Sequence, residues 1–417
     1  MQQILGLAIG MIIAREALAG AMRYTLDRFH LGPAWFLVDL ALFAAVGLVV
    51  LNQLMKPAQD RYLHALLAVG CFLGLGILSG YANGNNTTSI VSAVKIAMPL
   101  VATVLVYPHF LRHRWFRACL AGLFVVAVLG VVYNRSHPMP WTGYAYEQFG
   151  VTRAAARQWW IEGQSRVGGF GASSAASANV ILLMALLLTR GAVRAPVRLA
   201  VYAAAFVAIY FTTSRTPLLA LLLAVVFDLF PRRLVRPFRV DGAGLLAVFF
   251  LLATMAPFAW SMVVVLSDGI ARHFDVSILD RLNYTWPTML GLSYDHGWAS
   301  FLFGQGFGSV GSPAQYSGKY VSPISAVDNF MIYMFSLFGV LSLVLALLIF
   351  LCFLAIPWRE RYFAFAACMM MATVSCEGIG ASLLLGFAVA FGLGALGTRR
   401  AAVPDLQAEP PRYGRPA

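Results

Sequence analysis

"YFTTSRTPLLALLLAVVFDLF", residues 210–230, sets one arginine, Arg215, between two apolar runs. The run after it has no polar stripe: leucine, alanine, valine and phenylalanine occupy every face of a helical wheel until Asp228. A helix that is apolar all round lies in the core of a large protein or in a membrane. Composition decides between these. The chain of 417 residues is 60% hydrophobic and 11% charged, where a soluble domain carries about 25% charged residues. Its mean hydropathy is positive. Apolar stretches approaching 20 residues, about the length that crosses a bilayer, recur from end to end.

The expected fold is therefore all-α: a polytopic helical membrane protein with about twelve transmembrane helices. They are expected near 1–20, 34–55, 62–81, 89–110, 118–133, 172–189, 199–212, 216–230, 242–266, 325–355, 362–376 and 379–397. Arg15 and Glu16 interrupt the first. It reads as a retained helix, because a signal peptide would open on a basic segment. Residues 1–398 form a single transmembrane domain, and 399–417, rich in proline, form a disordered tail.

Positive charge orients the chain. Alternate connections are short and basic: "KPAQDR" (56–61), "RHRWFR" (112–117), "RGAVRAPVR" (190–198), "PRRLVRPFR" (231–239) and "WRER" (358–361). Under twelve spans these share one side with the tail, which assigns them and both termini to the cytoplasm. The net charge of +13 is then largely a topology signal. No soluble basic domain exists to bind nucleic acid. The other face carries two long connections, about 134–171 and 267–324, and long loops among tight hairpins carry function. The chain is placed in the inner membrane of a bacterium, with that face toward the periplasm.

The five cysteines (Cys71, Cys119, Cys352, Cys368 and Cys376) all fall in expected spans and form no CxxC pair, so they read as apolar fillers. No histidine–acid spacing of the HExxH kind occurs, so neither a catalytic metal nor another cofactor is expected. In the outer loops, His137 with Trp141 and Tyr144, and Asp295 and His296 with Trp298, pair aromatics with polar groups; sugar stacking and plain loop surface are both open readings. Lys95 lies inside a span and Glu377 between the last two. Intramembrane charge is costly and often functional.

Three outer arginines stand in specific settings. Arg215 heads a tight hairpin. Arg166 ends the first long loop in "SRVGGFGASSAASANV". Arg281 lies in "LDRLNYTW" of the second. Each alone could contact phospholipid. Together they suit a shared anion, because the guanidinium fork matches a pair of phosphate oxygens and keeps its charge. The small residues of "GASSAASAN" (171–179) would admit a lipid or pack helices closely. "FLFGQGFGSVGSP" (301–313) lacks the lysine and flanking elements of a nucleotide loop. Its glycines, Gly304 and Gly306 among them, would let an unusual backbone approach substrate. Asp328 and Asn329 open the next span, as helix caps or as site residues.

Five features in order make this chain resemble the O-antigen ligase and polymerase superfamily. They are Arg166-Val167-Gly168-Gly169-Phe170 before a span; Ser214-Arg215-Thr216 opening another; Arg281 followed by Trp286; Phe303-Gly304-Gln305-Gly306-Phe307-Gly308; and Asp328-Asn329 with Gly339 beyond. The motifs cover about 160–355. The resemblance implies a metal-independent membrane glycosyltransferase whose donor is a polyprenyl-diphosphate-linked oligosaccharide, used at the periplasmic face. Arg215, Arg281 and Asp328 would then be catalytic, and Arg166, Asn329, Gly304 and Gly306 would bind substrate. Ligases of the superfamily carry His-Asn where this chain has Asp328-Asn329. The aspartate favours a polymerase, joining one lipid-linked repeat unit to another, over a ligase that passes the glycan to lipid A core. A chain-length regulator and membrane lipids are the expected partners. A transporter, or a non-catalytic component of a polysaccharide assembly, is the competing class.

Overall fold

The computed structural model describes the chain except residues 56–59, 107–109, 112, 149, 159, 162–163, 192, 230–241, 268–276, 296, 318–326, 374–377 and 402–417. His296, Cys376, Glu377, the whole "PRRLVRPFR" connection and nearly all of the tail lie outside the described residues.

Helices dominate. In chain order they are α1 (Gln2–Ala17), α2 (Ala19–Arg28), α3 (Leu37–Met55), α4 (Asp60–Ala82), α5 (Thr87–Leu105), α6 (Arg114–Ser136), α7 (Ser174–Thr189), α8 (Ala195–Phe211), α9 (Arg215–Leu229) and α10 (Gly242–Leu266). They continue with α11 (277–295), α12 (Trp298–Phe303), α13 (Phe330–Phe338), α14 (Leu341–Ala355), α15 (Arg361–Thr373) and α16 (Ile379–Ala401). Six described helices are long and apolar enough to cross a membrane, or up to eight if two bent pairs each count as one span. The chain is thus an all-α, membrane-type protein.

The breaks between helices have local causes. The first expected span divides at Leu18, and α2 leaves α1 at 82°. The span expected over 325–355 is two helices, α13 and α14, with Gly339 at φ +56 between them. α10 and α11 each contain a π-helical turn, over Leu251–Met255 and Arg281–Thr285. Each turn ends two residues before a proline, Pro257 or Pro287. A proline offers no N–H and its ring presses on the carbonyl four residues back, here Ala253 or Asn283. Widening the preceding turn relieves both conflicts.

The first long loop adds the only strands among the described residues: β1 (Ala145–Gln148) pairs antiparallel with β2 (Val151–Ala154), and β3 (Trp160–Ile161) with β4 (Gln164–Ser165). The core centres on α7, α15 and α16. Every residue of α13 is also buried. α9 packs along α15 and runs opposite to it. Between Arg215 at one end of α9 and Asp228 at the other lies a rise of about 20 Å at 1.5 Å per residue.

That length separates two polar layers. At the Asp228 end, Arg198 bonds Asp228 at 3.0 Å, Arg190 bonds Glu360 at 3.0 Å, and Arg117 donates to the Leu188 carbonyl at 3.1 Å. At the Arg215 end gather the α2 corner, the β hairpins, Arg281 and the segment before α13.

Candidate functional site

The Arg166 loop is built by glycine. After Arg166 the chain turns through Gly168 and Gly169, the latter at φ +58. A Cβ on Gly169 would meet the α6 backbone at Val131 and Gly130, 2.8–2.9 Å away. The Gly169 N–H donates to Asn134 Oδ1 at 3.0 Å, and its carbonyl accepts from Trp141 Nε1 at 2.9 Å. Ser177 Oγ donates to the Gly168 carbonyl at 2.5 Å. Clamped to α6 and α7, the loop holds Arg166 half-buried. Arg166 Nε is buried and has no hydrogen-bond partner.

The Arg215 hairpin is equally tight. Thr213 adopts φ +57, uncommon for a β-branched residue. The Ser214 N–H donates to Thr212 Oγ1 at 3.3 Å, and Ser214 Oγ is buried without a partner. Thr216 Oγ1 hydrogen-bonds Thr373 Oγ1 at the end of α15. Arg215 itself is exposed and makes no ion pair among the described residues.

The same end of α15 holds the third element. Asn329, fully buried, caps α13 by accepting from the Ile332 N–H at 3.1 Å, and its Nδ2 donates to the Ala372 carbonyl at 3.0 Å. Thr373 and Ala372 thereby tie the Arg215 hairpin to Asp328. Asp328 is paired with Arg281, Oδ2 to Nη2 2.9 Å, with both side chains about one-third exposed. Arg281 opens the π turn that Pro287 imposes.

The electrostatics join the group. Burial lowers the Arg166 pKa, and the charges of Arg281 and then Arg215 lower it further. Arg281 and Arg215 therefore both stand within electrostatic reach of Arg166. Burial raises the Asp328 carboxyl above its ordinary range, and Arg281 opposes that shift. Arg281 is paired with Asp328, while Arg166 and Arg215 meet no carboxylate among the described residues, and this excess of positive charge suits an anion with more than one charge.

Two expectations need correction. Gly304 (φ +73) and Gly306 (φ +74) do adopt backbone that favours glycine, but what they approach is protein. A Cβ on Gly304 would strike Leu337 and Phe338; one on Gly306 would strike Ser79 and Gly80 of α4. The N–H groups of Gln305 and Gly306 donate to the Ser336 and Leu337 carbonyls at 2.9 and 3.0 Å. The loop thus satisfies carbonyls left open at the C-terminus of α13, whose N-terminus carries Asp328. Asn329 likewise has its carbonyl and its amide engaged by the chain. All three residues are thus engaged by protein.

Other expected groups are also engaged by protein. Trp141 locks the Gly169 turn, the Tyr144 hydroxyl donates to Asp27 at 2.6 Å, and His137 stacks on Tyr133 with centroids 4.4 Å apart. The small-residue run serves helix packing: a Cβ on Gly380 of α16 would meet Asn179 at 2.9 Å. Trp298 remains 74% exposed and edge-on to Phe301. No group of three His, Cys, Asp or Glu that could hold a metal occurs among the described residues.

The Arg281–Asp328 contact and the π turn beneath it escaped the sequence reading, although the proline six residues after Arg281 was a usable signal. Compared with models of protein families and with curated proteins, the chain has no match.

Proposed function

We propose that the chain is a polysaccharide polymerase of the bacterial inner membrane, with about twelve spans, cytoplasmic termini and its site at the periplasmic face. The observation that carries this reading is a group of arginines at one end of an apolar helix bundle: Arg281, paired with Asp328, and Arg215 both lie within electrostatic reach of Arg166. The donor's diphosphate would lie among the three arginines, its polyprenyl tail between helices and its glycan toward Asp328.

A hydroxyl oxygen of the acceptor repeat unit attacks the donor's anomeric carbon. The bond from that carbon to the diphosphate oxygen breaks, and its electron pair stays on the diphosphate. The hydroxyl proton passes to the Asp328 carboxylate. The arginines stabilise charge that grows on the leaving diphosphate, where stabilisation acts on the transition state more than on the ground state. Asp328 starts paired with Arg281, so diphosphate binding to Arg281 would loosen that pair and free the carboxylate. A raised pKa suits a general base. An aspartate in place of the superfamily's histidine favours polymerase over ligase.

The test is polymer length on gels from cells carrying Arg215→Ala or Arg281→Ala at normal protein level. Loss of long chains with retention of single repeats on the carrier is expected. Normal long chains would overturn the reading. Long chains stranded on the carrier lipid after deletion of the whole chain would show a ligase instead.

A further inference from the structure

A second cationic cluster lies beside the corner between α1 and α2, and the transfer reaction does not use it. Arg15 is 3% exposed and bonds Asp39 at 2.6 Å and Glu16 at 3.3 Å. This pairing engages both carboxylates. Around it stand three further cations. Arg23 stacks on Trp35, 3.7 Å from the ring centroid, and lies 4.9 Å from that of Tyr146. Its hydrogen bond goes to a neutral amide, Gln148 Oε1, at 3.1 Å. Arg153 on β2 bonds another neutral amide, Gln315 Oε1, at 3.3 Å, and its Nε is buried without a partner. Lys95 on α5 lies 5.3 Å over the Phe36 ring and makes no ion pair among the described residues.

The groups form one cluster. Lys95 stands within electrostatic reach of Asp39, Arg15, Arg23 and Arg153, and Arg23 within reach of Arg153 and Glu16. Asp39 Oδ2 is buried with no donor. However it pairs, four cations face two carboxylates among the described residues, and two cations are left without an anion there. Asp27, bound by the Tyr144 hydroxyl, and exposed Glu147 do not close the cluster. Leaving partly buried cations unmatched is costly, and a bound anion relieves that cost.

We infer that Arg23, Lys95 and Arg153 form a second anion site, which takes the phosphate group of a membrane lipid. Apolar surface beside it supports a lipid source: Leu37 and Leu40 on α3 are 61% and 65% exposed, and Leu31 before them 55%. Trp35 and Tyr146 are aromatic groups of the kind that sit at a membrane–water boundary. The site lies across the glycine loop from Arg166. The Gly20 N–H, at the start of α2, donates to the Phe170 carbonyl at 2.9 Å. The inference stands on these contacts and not on the polymerase reading.

The test measures binding of radiolabelled dioleoyl phosphatidic acid, and separately of inorganic pyrophosphate, to the full chain in neutral detergent. Lys95→Met and Arg153→Gln should each weaken lipid binding by about tenfold or more, the scale of a lost charge-assisted hydrogen bond. Arg153 lies on an outer hairpin, so its replacement reports on the site even if Lys95→Met fails to fold. The double variant Arg166→Ala with Arg215→Ala should leave this lipid binding unchanged, which separates the two sites. Wild-type lipid affinity in Lys95→Met and Arg153→Gln would overturn the proposal. So would lipid binding that follows Arg166 and Arg215, or binding of pyrophosphate without binding of the lipid.

Discussion

The two ends of α9 carry the same kind of residue in opposite circumstances. At the Asp228 end, Arg198 is matched: it bonds Asp228 at 3.0 Å, and the Tyr202 hydroxyl supplies a second donor to that carboxylate at 2.8 Å. Arg190 likewise meets Glu360 through two nitrogens. At the other end Arg215 and Arg166 meet no carboxylate among the described residues, and only Arg281 is paired, with Asp328. Matched charge tethers helices. Unmatched charge, held by loops that strain to hold it, is available for a ligand.

Four experiments would break or sharpen that contrast. The largest effect is expected from Asp328→Asn, which keeps the shape and removes the proposed base: polymer formation should fall about 10²–10⁴-fold, the usual share of general base catalysis. A fall smaller than tenfold, at normal protein level, would reduce Asp328 to a partner of Arg281. Next comes Arg215→Ala, expected to cost about 10²–10³-fold in rate, the scale of one lost electrostatic contact to a developing anion. Thermal unfolding should hardly move, because Arg215 is exposed. A stability loss with no rate loss would reverse the assignment.

The opposite pattern should follow Arg198→Ala. It leaves Asp228, which is 7% exposed, with only the Tyr202 hydroxyl, and should destabilise by about 1–3 kcal/mol. Turnover of the folded fraction should be unchanged; a specific loss of turnover would break the division between the two ends. The smallest effect is one of pH. Asp328 has a raised pKa, so its basic form is lost as pH falls through that raised value. The acid limb of the rate profile should lie above the ordinary aspartate value of about 3.9. Arg281 opposes the shift, so Arg281→Gln should move the limb of the residual activity higher still. An unmoved limb would mean that another group titrates.

Much of the fold was legible because apolar length is a local property. The runs around 210–230 announce helices of this kind without any knowledge of their neighbours. "T-T-S-R-T-P" also signalled a tight hairpin, since a short polar break between two apolar runs is itself a local feature. The Gly304 and Gly306 loop was half legible: its backbone conformation follows from composition, but its partner does not. Whether such a loop faces a substrate or the end of α13 depends on a helix more than twenty residues further on. Arg15, read as an interruption of the first span, gave no hint of Asp39, because an ion pair between helices has no sequence period.

The sequence by itself thus determined a helical membrane protein with charge concentrated in its connections, because burial in lipid acts on every residue of a span. It also determined which arginines sit in unusual local settings. Only the tertiary structure decided which of them meet an acid. Coulomb attraction and hydrogen bonding depend on distance in space, and the 46 positions between Arg281 and Asp328 say nothing about the 2.9 Å between their charged atoms.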